Sequence, residues 1–392
     1  AGVSVTTGTF NSLVGGLAGD ALTDADYNTA LGYQALTQDT LGSLSVAVGA
    51  FALTAQNFTT ATNSFNTAVG YTAGGAVTTG VQNTLIGGLA GDAITVGNYN
   101  VAVGYATLSA EDSHGRNVAV GYAALTAQNA GADANNVAVG FEAGKSVTTG
   151  ARNTFVGGLS GDSTTTTGDN TSVGYLALSA ASGGTNTAVG SGSLQNATGF
   201  DNTAVGYNTG SSLTSGSNDM FLGHDAGVTG SPGGNWTTQS NVIVLGDENI
   251  TNAYIQVDWT ITSDERDKTD FTALDLGLDF VKALEPVTYY WDKRSNYGDK
   301  YADDYDLSAQ TPDGTHKEDW MDIGFKAQAV RDLEEAAGYT AAAKKNLTVN
   351  HGADGKQLGL QYNKFVPILV KAIQDQDAII TALTARVAAL ES

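Results

Sequence analysis

Ser263 and Lys268, in the stretch TSDERDK, are the two side chains best placed in this sequence for covalent chemistry: a hydroxyl and an amine five positions apart, with only charged groups between them. The same letters also read as the start of a helix. Thr262 and Glu265 have the spacing of a capping box, and Asp264 and Glu265 suit a first helical turn. Residues five apart on a helix are separated by about 140°, so the hydroxyl and the amine meet only across a turn. Asp20 and Asp92 end GGLAGD motifs, and Asp162 ends the variant GGLSGD. Oxygen-rich turns of that kind could hold calcium, but no dense acidic loop surrounds these three, and they read as aspartates satisfying turn amides. His114, His224, His316 and His351 are isolated in polar or glycine-rich context, so no metal site is expected. No phosphate loop, zinc spacing or glycosidase-like carboxylate pair is present, and no cofactor is expected.

The composition narrows what can position such groups. In 392 residues there are 50 glycines, four prolines and no cysteine, which suits a repetitive chain without disulfides or thiolate chemistry. The net charge is −22, and residues 1–246 contain only three basic side chains, Arg116, Lys145 and Arg152. So acidic a chain repels phosphate backbones and anionic lipid, so neither nucleic acid nor membrane is expected as a partner. No apolar run approaches the roughly 20 residues that span a bilayer. No signal peptide is visible, and the unremarkable Ala1 leaves room for an upstream segment.

Residues 1–246 are one repeat. NTAVGY at 66 returns at 202, as NVAVGY at 100 and 117, as NTSVGY at 170, and as NTLIGG and NTFVGG at 83 and 153. The glycines of successive copies, from Gly15 to Gly246, step mainly by 17 residues, the signature of a solenoid. Within a copy, the second and fourth positions share one face of an extended segment and the third points the other way. The glycine permits a tight bend, and the leading Asn suits a turn in which its side chain bonds nearby backbone. Each unit therefore reads as a short strand, a bend and a second short strand. A large third residue (Leu13, Leu85, Phe155) goes with Gly at the sixth position (Gly16, Gly88, Gly158), and a small third residue with Tyr or Phe there. This trade suggests that both positions fill one space, between chains. Tyr33, Tyr71, Tyr105, Tyr122, Tyr175 and Tyr207 then read as a packing column rather than a sugar-stacking ladder.

The NTAVGYxAL pattern resembles the head repeats of trimeric bacterial adhesins, which form a left-handed parallel β-roll, and repeats in phage fibres. Over residues 1–246 the resemblance implies a homotrimer with coils stacked along a common axis.

Beyond VIVLGD the texture changes. Residues 247–262 read as a connector, residues 263–361 as a small α+β domain, and 362–392 as a helix. Aromatic residues cluster in VTYYWDKR, and a helical pattern opens at DIGFKAQAVRDLEEAAG. In the last helix, Leu369, Ile373, Gln376, Ile380, Leu383, Val387 and Leu390 alternate steps of four and three, a heptad seam with Gln376 as a polar register-setter. Three to four heptads do not stand alone, so the helices are expected to join between chains as a trimeric coiled coil.

The region from TSDERDK onward resembles the intramolecular chaperone domain of phage tailspikes and fibres, classed as peptidase family S74. The matching pieces are SDERDK at 263–268, VKALEPVTYYW at 281–291, IGFKAQAV at 323–330 and LQYNKFVPILVKAIQDQ at 360–376. The resemblance implies a clamp that brings three chains into register and then cuts itself once, with Ser263 as nucleophile, Lys268 as base and Ser263–Asp264 as the broken bond. Partial burial at a seam between chains would favour the neutral amine that such a base requires. Many members carry a histidine just before the GF or GV of the central motif; this chain has Asp322 and Ile323 there.

The expected protein is therefore mainly β: a homotrimeric β-solenoid or β-roll shaft followed by an α+β chaperone domain and a coiled coil. The expected function is that of a phage tail fibre or spike that attaches to the host surface. It would be made in the host cytoplasm and carried on the virion. Its expected partners are two further copies, a host cell-surface receptor (a glycan or surface protein), and other tail or capsid proteins. Two alternatives stay open: a polysaccharide depolymerase spike with an active site between chains, and a bacterial trimeric surface adhesin. At most, the chain would be a single-turnover Ser–Lys self-cleaving endopeptidase.

Overall fold

The computed structural model describes residues 1–257, 259–302, 304–345 and 347–391. The chain divides into two compact units, Ala1–Val228 with Trp236–Gly246, and Thr229–Asn235 with Asp247–Ser392. The short segment Thr229–Asn235, inside the stretch the repeat pattern assigns to the shaft, thus belongs with the second unit.

The first unit is a β-solenoid. Fourteen three-residue strands, from Ser12–Val14 to Ile243–Leu245, form one parallel sheet in which each strand pairs in register with the strand of the next coil. The register superposes like on like, as in Val101↔Val118, Ala102↔Ala119 and Val103↔Val120. The middle residue of these strands points inward, as the alternation demands: Ala30, Ala68, Leu85, Ala102 and Phe155 are completely buried. The expected second strand is not a regular feature. Among the described residues of this unit it forms only where Gly42–Ser43 pairs with Thr62–Asn63, and the rest of each coil is turn. At the bend, Gly32 has φ +143°, and a Cβ there would lie 2.5 Å from the Gly49 carbonyl oxygen. Stacked backbones at that spacing leave room only for glycine.

The leading Asn bonds backbone, as expected, but that backbone belongs largely to neighbouring coils, and from Asn28 to Asn202 the residue is buried. Asn83 Oδ1 accepts from the Asn100 N–H (2.9 Å), its Nδ2 donates to the Gly97 carbonyl (2.9 Å), and its own N–H donates to Asn66 Oδ1 (2.9 Å). The same relay passes from coil to coil through Asn100, Asn117, Asn136, Asn153, Asn170, Asn186 and Asn202 to Asp219. Each Oδ1 in the relay thereby satisfies a backbone N–H in the coil above, although Asn117 Nδ2 has no partner, and stranding one such group costs about 1–3 kcal/mol.

The volume trade read from the sequence is real, but its partner is a different residue. The sixth-position tyrosines are 49–60 % exposed and line the outside, where Tyr105, Tyr122 and Phe141 stack at 5.7 and 5.3 Å. The side chain of Leu85 instead fills the space over Gly74 and Gly91: a Cβ on either glycine would approach it to 2.6 or 2.7 Å. Phe221 lies in the same way against Gly210 and Gly227. In six copies with a small third residue, that inner place belongs to a fully buried leucine six positions later: Leu36, Leu53, Leu108, Leu125, Leu178 or Leu194. These leucines sit in the left-handed region, with φ between 47° and 54°. That conformation costs roughly 1–2 kcal/mol per residue, which full burial of a leucine, worth about 1.5–3 kcal/mol, offsets.

The second unit is α+β. Helix α1 spans Leu278–Ala283, α2 Ala327–Ala336 and α3 Phe365–Glu391. Two antiparallel pairs accompany them, Val287–Tyr289 with Asp322–Gly324 and Val349–His351 with Leu358–Leu360. The helix expected to open at Asp322 starts later because Asp322–Gly324 is taken up as a strand. Leu276, Phe280, Val330, Val349, Phe365 and Ile368 form the core. α3 also fixes the start of α1, where Asp375 Oδ2 accepts from the Leu278 N–H (3.1 Å).

The volume trade is testable by a double-mutant cycle in chemical unfolding. Leu85→Ala should cost about 2–5 kcal/mol by opening a cavity, and Gly91→Leu should also destabilise by clashing with Leu85. The pair together should recover at least about 1 kcal/mol relative to the sum of the two single changes. Strict additivity would show that the two positions do not share one space.

Candidate functional site

Ser263 and Lys268 are brought together by one tight turn. Glu265–Asp267 form a single 3-10 turn whose N-cap is Asp264, with its side chain accepting from the Arg266 N–H (2.9 Å). The capping box expected from Thr262 and Glu265 is not the cap used: Asp264, one residue before the turn, takes the Arg266 amide instead. The Arg266 guanidinium also binds the Asp264 carboxylate (2.6 Å), and these side-chain and backbone bonds hold its pKa below the usual value. A 3-10 turn is tighter than an α-turn, and it folds Lys268 back over residue 263. Lys268 Nζ donates to Ser263 Oγ (2.5 Å) and to the Ser263 carbonyl oxygen (3.2 Å). The amine thus contacts both the hydroxyl and the carbonyl of the Ser263–Asp264 peptide bond. Both side chains are exposed in the single chain, so this chain alone does not supply the partial burial that a neutral lysine calls on.

Asp322, in the place where a histidine was noted as common, accepts from Tyr289 Oη (3.3 Å) and from the Trp291 indole N–H (3.3 Å). It works as a hydrogen-bond acceptor for the aromatic cluster. Nearby, an open cleft of about 800 Å³ within the second unit is lined by Glu248, Trp291, Arg294, Glu318 and Trp320 among others. Two of its acidic groups pair with lysines, Glu248 with Lys300 (2.6 Å) and Glu318 with Lys293 (3.2 Å).

The seam residues lie on α3, from Leu369 within its packed first turns to Leu390 near its end. Phe365, Ile368 and Ala372 are buried against the domain. Leu369, Ile373, Gln376, Ile380, Leu383, Val387 and Leu390 are all exposed, Ile373 to 66 % and Leu383 to 53 %. Within the single chain this apolar stripe has no cover.

Two features escaped sequence reasoning. Glu334, in DLEEAAG, reads as a solvated helix residue but is buried, and its carboxylate accepts from Leu347 N–H (3.2 Å), Thr348 N–H (2.7 Å) and Thr348 Oγ1 (2.5 Å). It ties α2 to the strand that follows Thr348, a long-range role with no local signal. His114 is not isolated, since its Nδ1 lies 3.8 Å from Glu111 Oε1. Asp20, Asp92 and Asp162 each bury one Oδ1 without a hydrogen-bond partner, and burial raises the pKa of Asp92 and Asp162.

The family model for Peptidase S74, described as chaperone of endosialidase, matches residues 263–339. The match opens on Ser263, and it includes three of the four sequence pieces noted above; LQYNKFVPILVKAIQDQ lies beyond it. Residues 263–339 are thus a chaperone-of-endosialidase domain that follows a β-solenoid of 17-residue repeats. Comparison with curated proteins and with solved structures gives no match. Among the described residues, no helix is long and apolar enough to cross a membrane.

Proposed function

We propose that this chain is the subunit of a homotrimeric fibre or spike of the phage tail type, in which the solenoid reaches toward a host surface and the C-terminal domain drives assembly. The observation that carries this reading is the chaperone-of-endosialidase match directly following a repetitive shaft. The exposed stripe on α3 supports it. Seven residues at heptad spacing, six of them apolar, face water in one chain and would bury one another in three. A long solenoid has exposed ends and self-similar coils, so chains can pair out of register; a terminal clamp that aligns them first removes that failure. The exposed aromatic column along the shaft is a second surface that neighbouring copies would cover.

A second reading, autocleavage after Ser263, rests on the contact of Lys268 with both oxygens of Ser263. In that reaction a neutral Lys268 amine takes the hydroxyl proton, and Oγ attacks the Ser263 carbonyl carbon to close a four-membered lactone. The bond to Asp264 breaks, and the lysine returns its proton to the Asp264 nitrogen. Water then opens the lactone, leaving a carboxylate at Ser263. Ring strain makes the step slow, which a single turnover tolerates. Because the neutral amine needs cover, assembly of three chains would precede the cut, and loss of the clamp would leave a kinetically trapped shaft.

Refolding tests the chaperone role. The full chain diluted from denaturant should recover folded shaft at least about tenfold better than a chain ending at residue 262. Equal recovery would remove the reading. Intact-mass measurement on assembled protein tests the cut: the parent should give one fragment ending at Ser263 and one starting at Asp264, while Ser263→Ala and Lys268→Ala stay whole. A parent that also stays whole would leave a permanent clamp with no proteolytic step.

A further inference from the structure

The residue seven positions after the bend glycine is a core position in coil after coil, held by Val77, Ile94, Val147 and Leu213, all fully buried. Two copies place a carboxylate there, Asp39 and Glu111, both also fully buried. The two are not alike in their surroundings. Asp39 is satisfied within the coil stack: Oδ1 accepts from the Gly42 and Phe58 N–H groups (both 3.0 Å) and Oδ2 from Gln56 Nε2 (2.6 Å). Glu111 Oε1 accepts from the His114 N–H (3.2 Å), and its buried Oε2 has no hydrogen-bond partner. Above it in the stack, Gln128 has spent its amide elsewhere, donating to the Thr148 carbonyl and accepting from Asn136. A buried carboxylate oxygen with no donor is costly unless a cation or a proton meets it.

What stands beside Glu111 favours a cation. Within four residues the chain brings together Glu111, Asp112 and His114, and one ligand atom from each lies within 4.8 Å of the others. Ser113 Oγ donates to Asp112 Oδ1 (2.6 Å), orienting the second carboxylate. Asp112 is exposed and the His114 side chain is 28 % exposed, so the group opens to solvent on one side and is anchored in the core on the other. Two carboxylates and an imidazole suit a divalent transition metal, whereas calcium prefers oxygen ligands alone. We propose that Glu111, Asp112 and His114 form a binding site for a divalent transition-metal ion, of which zinc is the natural probe, that staples this loop to the solenoid core. Three protein ligands leave one position of a tetrahedral zinc to water.

The test uses the full chain, stripped with a chelator and titrated with zinc chloride by calorimetry, beside His114→Asn and Glu111→Gln. The parent should bind one zinc per chain and melt at a higher temperature with zinc present, and calcium should do neither. His114→Asn, a change at a partly exposed side chain that leaves the core intact, should weaken binding at least about tenfold. Glu111→Gln should do the same while keeping the coil folded, since the amide is isosteric with the carboxyl it replaces. Absence of a stoichiometric zinc in the parent, or equal zinc binding in the parent and His114→Asn, would overturn the proposal and leave Glu111 as a buried neutral acid.

Discussion

The solenoid depends on a buried amide. Each coil closes on a run of backbone groups that water cannot reach, and the parallel strands, only three residues long, leave many of them unpaired. The asparagine relay meets that demand, because one side chain supplies both an acceptor to the next coil's N–H and a donor to its carbonyl. Aspartate offers no donor, and serine is too short to span the gap. Where Ser45 replaces the asparagine, the relay breaks, and a local network of Gln56, Ser64 and Asp39 takes over. The coil at that break is also the one with the extra strand pair Gly42–Ser43 with Thr62–Asn63. The relay holds across steps of 16, 17 and 19 residues, so what it requires is that each coil return its asparagine directly beneath the next, whatever the length of the turns between.

The repeat, the bend glycine and the inward third position were legible because each is a local periodicity that one sequence displays many times. The interior was less so. That Leu85 trades space with Gly74 and Gly91, and not with Gly88, depends on how turns fold the chain back over itself, and positions 11 before and six after a residue have no special standing in a strand pattern. The reach of the asparagine from coil to coil was hidden for a related reason. Asn is at home in exposed turns, and only the stacking of coils turns the same geometry into a buried ladder. His114 was read as isolated because its partners, Glu111 and Asp112, look like ordinary loop acids until the coil shows Glu111 in a core position.

In the C-terminal unit, sequence reasoning located the pieces but not what holds them. Ser263 and Lys268 meet across a turn narrower than the helix their spacing first suggests, and the cap is Asp264 because the turn begins two residues later than a Thr262–Glu265 capping box would place it. The heptad pattern on α3 marks residues that the single chain leaves in water. An amphipathic stripe can be read from sequence, but the number of helices that cover it is decided between chains. The same applies to the Ser–Lys pair, which lies in an open turn in one chain and whose cover would have to come from other chains.

The central claim is that the stripe on α3 is covered by two further copies of the same chain. Sedimentation equilibrium of the full chain over a range of concentrations tests it most directly, beside a variant carrying Ile373→Glu and Ile380→Glu. The account predicts a mass of three chains for the parent and a shift toward single chains for the variant. A parent that sediments as one chain at every concentration, or a variant that keeps the parent's mass, would contradict it.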